Sequence, residues 1–190
     1  MKNSYQYHFN YCKACLAELV QYLHTDILYW PLSTSRTLIG HSNVRLTIGA
    51  MLLAAACANT LAETALHRRE LDDFEITICT LNNHLKTLWS RKAQSELDAR
   101  LHRWSQYLSD LDSYDGIDAA SYRYEIRWRV VLDLLIENLG GISIADHRVL
   151  DDGDRRLRGK FSPGDFLWSP DLAKAFPQER FWYLWGSINT

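Results

Sequence analysis

Apolar residues return every third or fourth position along most of this chain, the spacing that lines one face of an α-helix. From 5 to 29 the stripe is Phe9, Cys12, Leu16, Leu19 or Val20, Leu23 and Ile27. Pro31 is placed to stop that helix, because proline has no N–H for the hydrogen-bond ladder, and 31–42 then reads as a loop. A second helix is expected over 43–69, with Ser42 or Asn43 as its N-cap. Ala50, Ala54, Ala58 and Ala62 lie every fourth position on it, so a neighbouring helix can approach closely.

Residues 71–112 contain neither Gly nor Pro. Phe74, Ile78, Leu81, Leu85 and Leu88 form one stripe, and Leu97, Leu101, Trp104, Leu108 and Leu111 form another. The two are out of heptad phase, but Leu85, Trp89, Ala93, Leu97 and Leu101 join them in steps of four. That permits one kinked helix of about 60 Å, and the absence of a breaker favours it over two helices turning near Ser90 to Ala93. A turn at 113–116 precedes a helix over 118–139, with Tyr124, Trp128, Val131, Leu135 and Leu139 on one face and Gly140-Gly141 as its stop.

Beyond Gly141 the period changes. The acidic run Asp151-Asp152-Gly153-Asp154 between short apolar pairs predicts a small β-hairpin within 147–160. Pro163-Gly164 marks a turn, and 171–176 and 179–185 read as short helical turns. Seven aromatics fall between Phe166 and Trp185. A segment this apolar must bury itself, on its own domain or on a partner. The expected architecture is an all-α bundle of four or five long antiparallel helices over 1–140. An irregular, aromatic-rich C-terminal cap over 141–190 belongs to the same domain.

Composition narrows the function classes. The chain has 190 residues, 47% hydrophobic and 23% charged, and a formal net charge of −2. That is ordinary globular usage, and the missing basic excess disfavours a dedicated nucleic-acid binder. No signal-peptide pattern opens the sequence. The longest apolar run, 48–58, is too short for a membrane span of roughly 20 residues. The expectation is therefore a soluble, cytoplasmic protein in which Cys12, Cys15, Cys57 and Cys79 stay reduced.

Several constellations were weighed for chemistry. Cys12-x-x-Cys15 has metal or redox spacing, but no second ligand pair accompanies it and both thiols lie mid-helix, which favours core packing. Glu63/His67 and Asp98/His102 are four apart in polar runs, the spacing of surface helix pairs rather than of a di-metal carboxylate bundle. No metal site and no cofactor are expected. Arg155-Arg156-Leu157-Arg158 reads as a self-neutralising basic strip beside its aspartates.

The run Tyr122-Arg123-Tyr124-Glu125-Ile126-Arg127-Trp128-Arg129 is the most unusual local pattern. Arg123 and Arg127 are one turn apart beside Trp128, an arrangement able to hold an anion between guanidinium groups against an aromatic wall. The same arginines could instead pair with acids and stack on rings. The Tyr124/Trp128 face also offers a docking place for the C-terminal aromatics.

Arg36-Thr37-Leu38-Ile39-Gly40-His41 resembles the Arg-x4-His pattern of HEPN-type ribonucleases, which are also all-α. The resemblance covers six residues and implies Arg36 and His41 as a catalytic pair in a dimer cleft.

Three functions follow. The first is a non-catalytic protein-interaction or adaptor module, meeting another protein or a second copy through tail residues such as Trp182 and Trp185. The second is a helical bundle binding a small anionic or aromatic ligand at Arg123, Arg127 and Trp128. The third is the HEPN-like ribonuclease.

Overall fold

The computed structural model describes residues 4–33, 44–113 and 119–189. The protein is mostly helical, with seven α-helices and two small antiparallel strand pairs among the described residues. Its contacts cluster into two compact units, Met1–Glu96 and Leu97–Thr190.

In the first unit, α1 (Tyr5–Leu23) starts where the Ser4 hydroxyl accepts from the Tyr7 N–H. It buries Phe9, Cys12, Leu19 and Leu23 of the expected stripe and Cys15 beside them, while Leu16 is half-buried and Val20 exposed. It ends before the expected 29, because other groups claim the backbone of the next turn. The Lys92 ammonium donates to the carbonyls of Thr25 at 2.6 Å and Ile27 at 3.0 Å, and the Tyr22 hydroxyl donates to that of Leu28. Ile27 is left half exposed. Pro31 sits in strand β1 (Trp30–Pro31), paired antiparallel with β2 (Arg45–Leu46).

The helix expected over 43–69 is two helices, α2 (Ile48–Thr60) and α3 (Ala65–His84). Two threonines divide it. The Thr47 hydroxyl accepts from the Ala50 N–H and the Thr64 hydroxyl from the His67 N–H, each opening a helix with its own cap. Ser42 and Asn43 lie outside the described residues. Ala54, Ala58 and Ala62 are buried, and α2 packs on α1 and α3. The run 71–112 divides at Leu85, between α3 and α4 (Lys86–Ser113), five residues before the turn considered from sequence. The ladder is kept on both sides of it: the Leu85 N–H reaches Leu81 at 2.8 Å and the Trp89 N–H reaches Leu85 at 2.9 Å.

The second unit begins within α4, whose Leu97, Leu101, Trp104, Leu108 and Leu111 are all buried. Helices α5 (Ala119–Glu125) and α6 (Arg127–Leu139) meet at Ile126, which itself has helical angles. Gly140 closes α6 in the left-handed conformation at φ 76°. Val131 and Leu135 are buried as expected, but Tyr124 points to solvent. The inner face of this run is Tyr122, Ile126, Arg129, Val130 and Leu132 instead.

The hairpin expected within 147–160 is overturned. Those residues belong to helix α7 (Ile144–Arg158), capped by Ser143, whose hydroxyl accepts from the Asp146 N–H. Leu150, Gly153 and Leu157 form its inner stripe. Gly153 is a packing residue rather than a turn residue, since a Cβ there would lie 2.9 Å from Leu108 Cδ1 and 3.4 Å from Trp104 Nε1.

A hairpin does form later. Strand β3 (Phe161–Phe166) contains Pro163-Gly164, which was expected as a turn, and pairs with β4 (Trp185–Ile188) through Phe161↔Ile188 and Phe166↔Trp185, with an irregularity between Pro163 and Phe166. Two 3-10 turns, Pro170–Ala175 and Trp182–Leu184, lie between the strands. Gly186 is required there: a Cβ would sit 2.1 Å from the Ser162 carbonyl oxygen.

Candidate functional site

The second unit carries a groove of about 420 Å3 lined by Arg103, Gln106, Tyr107 and Asp110 from α4 and by Ser121, Glu125 and Trp128 from the α5–α6 run. Its first wall follows from helix spacing. Arg103, Gln106 and Asp110 recur at three and four on the polar side of α4, opposite the buried stripe that includes Trp104, Leu108 and Leu111. A neighbouring recess of about 390 Å3 continues along the same polar side past His102, Ser105 and Ser109.

Trp128 is the fixed point of the groove. Its indole N–H donates to the Glu125 carboxylate one helical turn earlier, which sets the ring plane. Three guanidinium groups gather on that ring: Arg100 at 4.9 Å, Arg103 at 5.1 Å and Arg127 at 5.5 Å from its centre. Arg127 also lies 4.0 Å from the Tyr124 ring centre and donates to the Tyr124 hydroxyl at 2.6 Å. Cations over an indole face are favoured by the ring quadrupole, so the tryptophan organises like charges that would otherwise spread apart. Arg100 is buried and otherwise engaged. Arg103 is exposed and Arg127 half-buried, and no carboxylate among the described residues forms an ion pair with either.

Of the residues singled out from sequence, the structure brings Arg127 and Trp128 together. Arg123 is exposed on the same run. Trp182 and Trp185 lie in the C-terminal segment, already engaged. Arg158 stacks on Trp182 at 3.8 Å, and the Trp185 N–H donates to the Phe176 carbonyl at 2.9 Å. Leu172, Phe176, Phe181, Tyr183, Leu184 and Ile188 of that segment are buried. Its docking face is the Tyr122/Arg129 side of the run, not the expected Tyr124/Trp128 side: the Tyr122 hydroxyl donates to the Tyr183 carbonyl at 2.6 Å.

Arg129 is the arginine that sequence reasoning passed over. It is buried, forms a two-pronged pair with Asp154 at 2.9 Å on both arms, and also donates to Asp133. Asp133 accepts the Tyr183 hydroxyl at 2.6 Å. Burial alone would lower the Arg129 pKa; its hydrogen bonds to Asp154 and the charges of Asp133 and Asp154 outweigh it and hold the cation. Burial likewise raises the Tyr183 and Tyr122 hydroxyls, which stay neutral. The cluster ties α6, α7 and the C-terminal segment together.

The other sequence candidates resolve differently. Burial pushes the Cys12 and Cys57 thiols up to about 12 and Cys15 well above its usual value, so three thiols are poor nucleophiles; Cys79 is exposed. His67 of the Glu63/His67 pair stacks on Tyr5 at 3.7 Å, whose hydroxyl donates to Glu70. Among the described residues no group of three His, Cys, Asp or Glu side chains is placed to hold a metal ion, and no helix is long and apolar enough to cross a membrane. Arg36 and His41 lie outside the described residues.

No family model, curated protein or solved structure matches the chain.

Arg100 and Arg103 were missed for the same reason as Arg129. Each matters through a partner far along the chain, Trp128 in one case and Asp154 in the other. The only local signal was Arg100-x-x-Arg103 on one side of α4.

Proposed function

We propose that this chain is a non-catalytic recognition protein whose groove beside Trp128 reads an anionic group on a small ligand. The observation that carries this reading is the gathering of Arg100, Arg103 and Arg127 on one indole, with Arg103 and Arg127 free of carboxylate partners among the described residues. Guanidinium groups fixed in place match carboxylate and phosphate oxygens two at a time. The groove is open and lined mainly by polar side chains, so it suits a small charged group rather than an enclosed apolar ligand. On this reading the protein works in the cytoplasm, where its four cysteines stay as thiols.

The test is thermal unfolding at low ionic strength with inorganic phosphate, citrate and acetate. A ligand that binds only the folded state raises the midpoint as its concentration passes its Kd. The wild type gains stability with at least one anion, salt erodes the gain, and the Arg103→Gln/Arg127→Gln double variant loses it. Equal midpoints for wild type and double variant with every anion contradict the reading.

A second reading, a protein-interaction or adaptor module pairing with another protein or with itself, draws on α3 of the first unit. Leu66 and Ile76 are each 65% exposed there. It expects a concentration-dependent mass in solution that Leu66→Ser/Ile76→Ser abolishes.

A further inference from the structure

We infer that the ligand of the Trp128 groove is a zwitterion, a free amino acid or close aminocarboxylate held by both of its head groups; this rests on the anion-recognition reading above. The groove is not lined by cations alone. Arg103 faces it with Glu125 and Asp110, and no ion pair joins Arg103 to either carboxylate. Glu125 and Arg103 are both held at the same indole, one through its N–H and the other over its face. Opposite charges placed this close ordinarily pair with each other. Here they stay apart across an open groove, and an anion alone would leave the two carboxylates facing a like charge.

A ligand carrying a carboxylate and an ammonium on neighbouring carbons answers both signs at once. Its carboxylate meets Arg103, with the positive potential of Arg127 behind it. Its ammonium meets Glu125, whose second oxygen is not used by Trp128, or Asp110 further along α4. Three guanidinium groups already lie 4.9–5.5 Å from the Trp128 ring centre, so an aromatic ligand would compete with them for that ring. The Gln106 amide lines the same groove and supplies a donor and an acceptor for either head group.

Isothermal titration of the full chain with the twenty L-amino acids, and with their N-acetyl and carboxamide forms, decides the matter. At least one free amino acid binds, and both blocked forms of it bind at least tenfold more weakly. Asp110→Asn and Glu125→Gln keep the fold, because Asp110 is exposed and Gln still accepts the indole N–H. Together they bring the N-acetyl and free forms to equal affinity. If the N-acetyl form binds the wild type as well as the free one, the ammonium is not read and the zwitterion is overturned while anion recognition stands. If citrate or phosphate binds and no amino acid does, the outcome is the same. If the carboxamide binds as well as the free acid, or nothing binds at all, both readings fall.

Discussion

Single side chains in this protein reveal more through what surrounds them than through their type. His8 is buried on α1, and loss of hydration lowers its pKa to about 4. An unfolded histidine titrates near 6.5. Between those values the unfolded chain takes up a proton that the folded chain refuses. The stability due to a neutral His8 is therefore fully present above about pH 6.5 and is lost as pH falls toward 4, at no more than about 1.4 kcal/mol per pH unit. Urea midpoints measured at pH 7 and pH 5.5 should fall in the wild type, and the fall should shrink in His8→Gln. Arg129 shows the opposite arrangement, a buried charge kept ionised by two aspartates. Neither environment is visible in sequence, where His8 and Arg129 look like any other polar residue on an amphipathic run. Arg127 and Trp128 were visible because they are adjacent in one helix; Arg103 was not, because its partner lies 25 positions away.

At the scale of elements, periodicity located the helices and local capping decided their ends. The 4-3 stripe of α4 reads correctly because its apolar residues are the buried ones, and that of α1 does so at Phe9, Cys12, Leu19 and Leu23. The boundary between α2 and α3 was lost because the apolar pattern runs across Thr64, and only the hydroxyl-to-backbone bond reveals the break. Helix α7 was misread because Asp-Gly resembles a hairpin turn, whereas its glycine serves contact. That contact is testable. Alanine at 153 gains about 1 kcal/mol of helix propensity but meets Leu108 Cδ1 at 2.9 Å, and overpacking costs about 1–3 kcal/mol. Gly153→Leu gains nearly the same propensity but drives three further carbons into Leu108 and Trp104, and should lower the unfolding free energy by about 3 kcal/mol or more in a denaturant titration. A hairpin glycine at this position would tolerate the change far better.

For the whole molecule, the C-terminal segment decides how the second unit is understood. Its aromatics suggest an arm for partners when read alone. In the structure Leu172, Phe176, Tyr183 and Leu184 are core, Arg180 reaches Glu137 at 3.0 Å, and β3–β4 closes the segment on itself. A chain ending at Ser162 should therefore lose much of its cooperative unfolding and bind a hydrophobic dye, having uncovered Tyr122 and the Arg129 cluster. A truncated chain with wild-type helicity and midpoint would show that the segment is a detachable arm after all. With the aromatics accounted for as core, the proposed recognition surface is the charged groove beside Trp128. The most direct measurement is the indole N–H resonance of Trp128, identified by its absence in Trp128→Phe, followed together with the arginine Nε–H resonances during titration with inorganic phosphate and then with the tightest-binding amino acid. The account predicts that Trp128, Arg103 and Arg127 shift along one saturable curve while the buried Trp89 and Trp104 stay still. Saturable shifts confined to other residues, or none at the Trp128 indole, would contradict it.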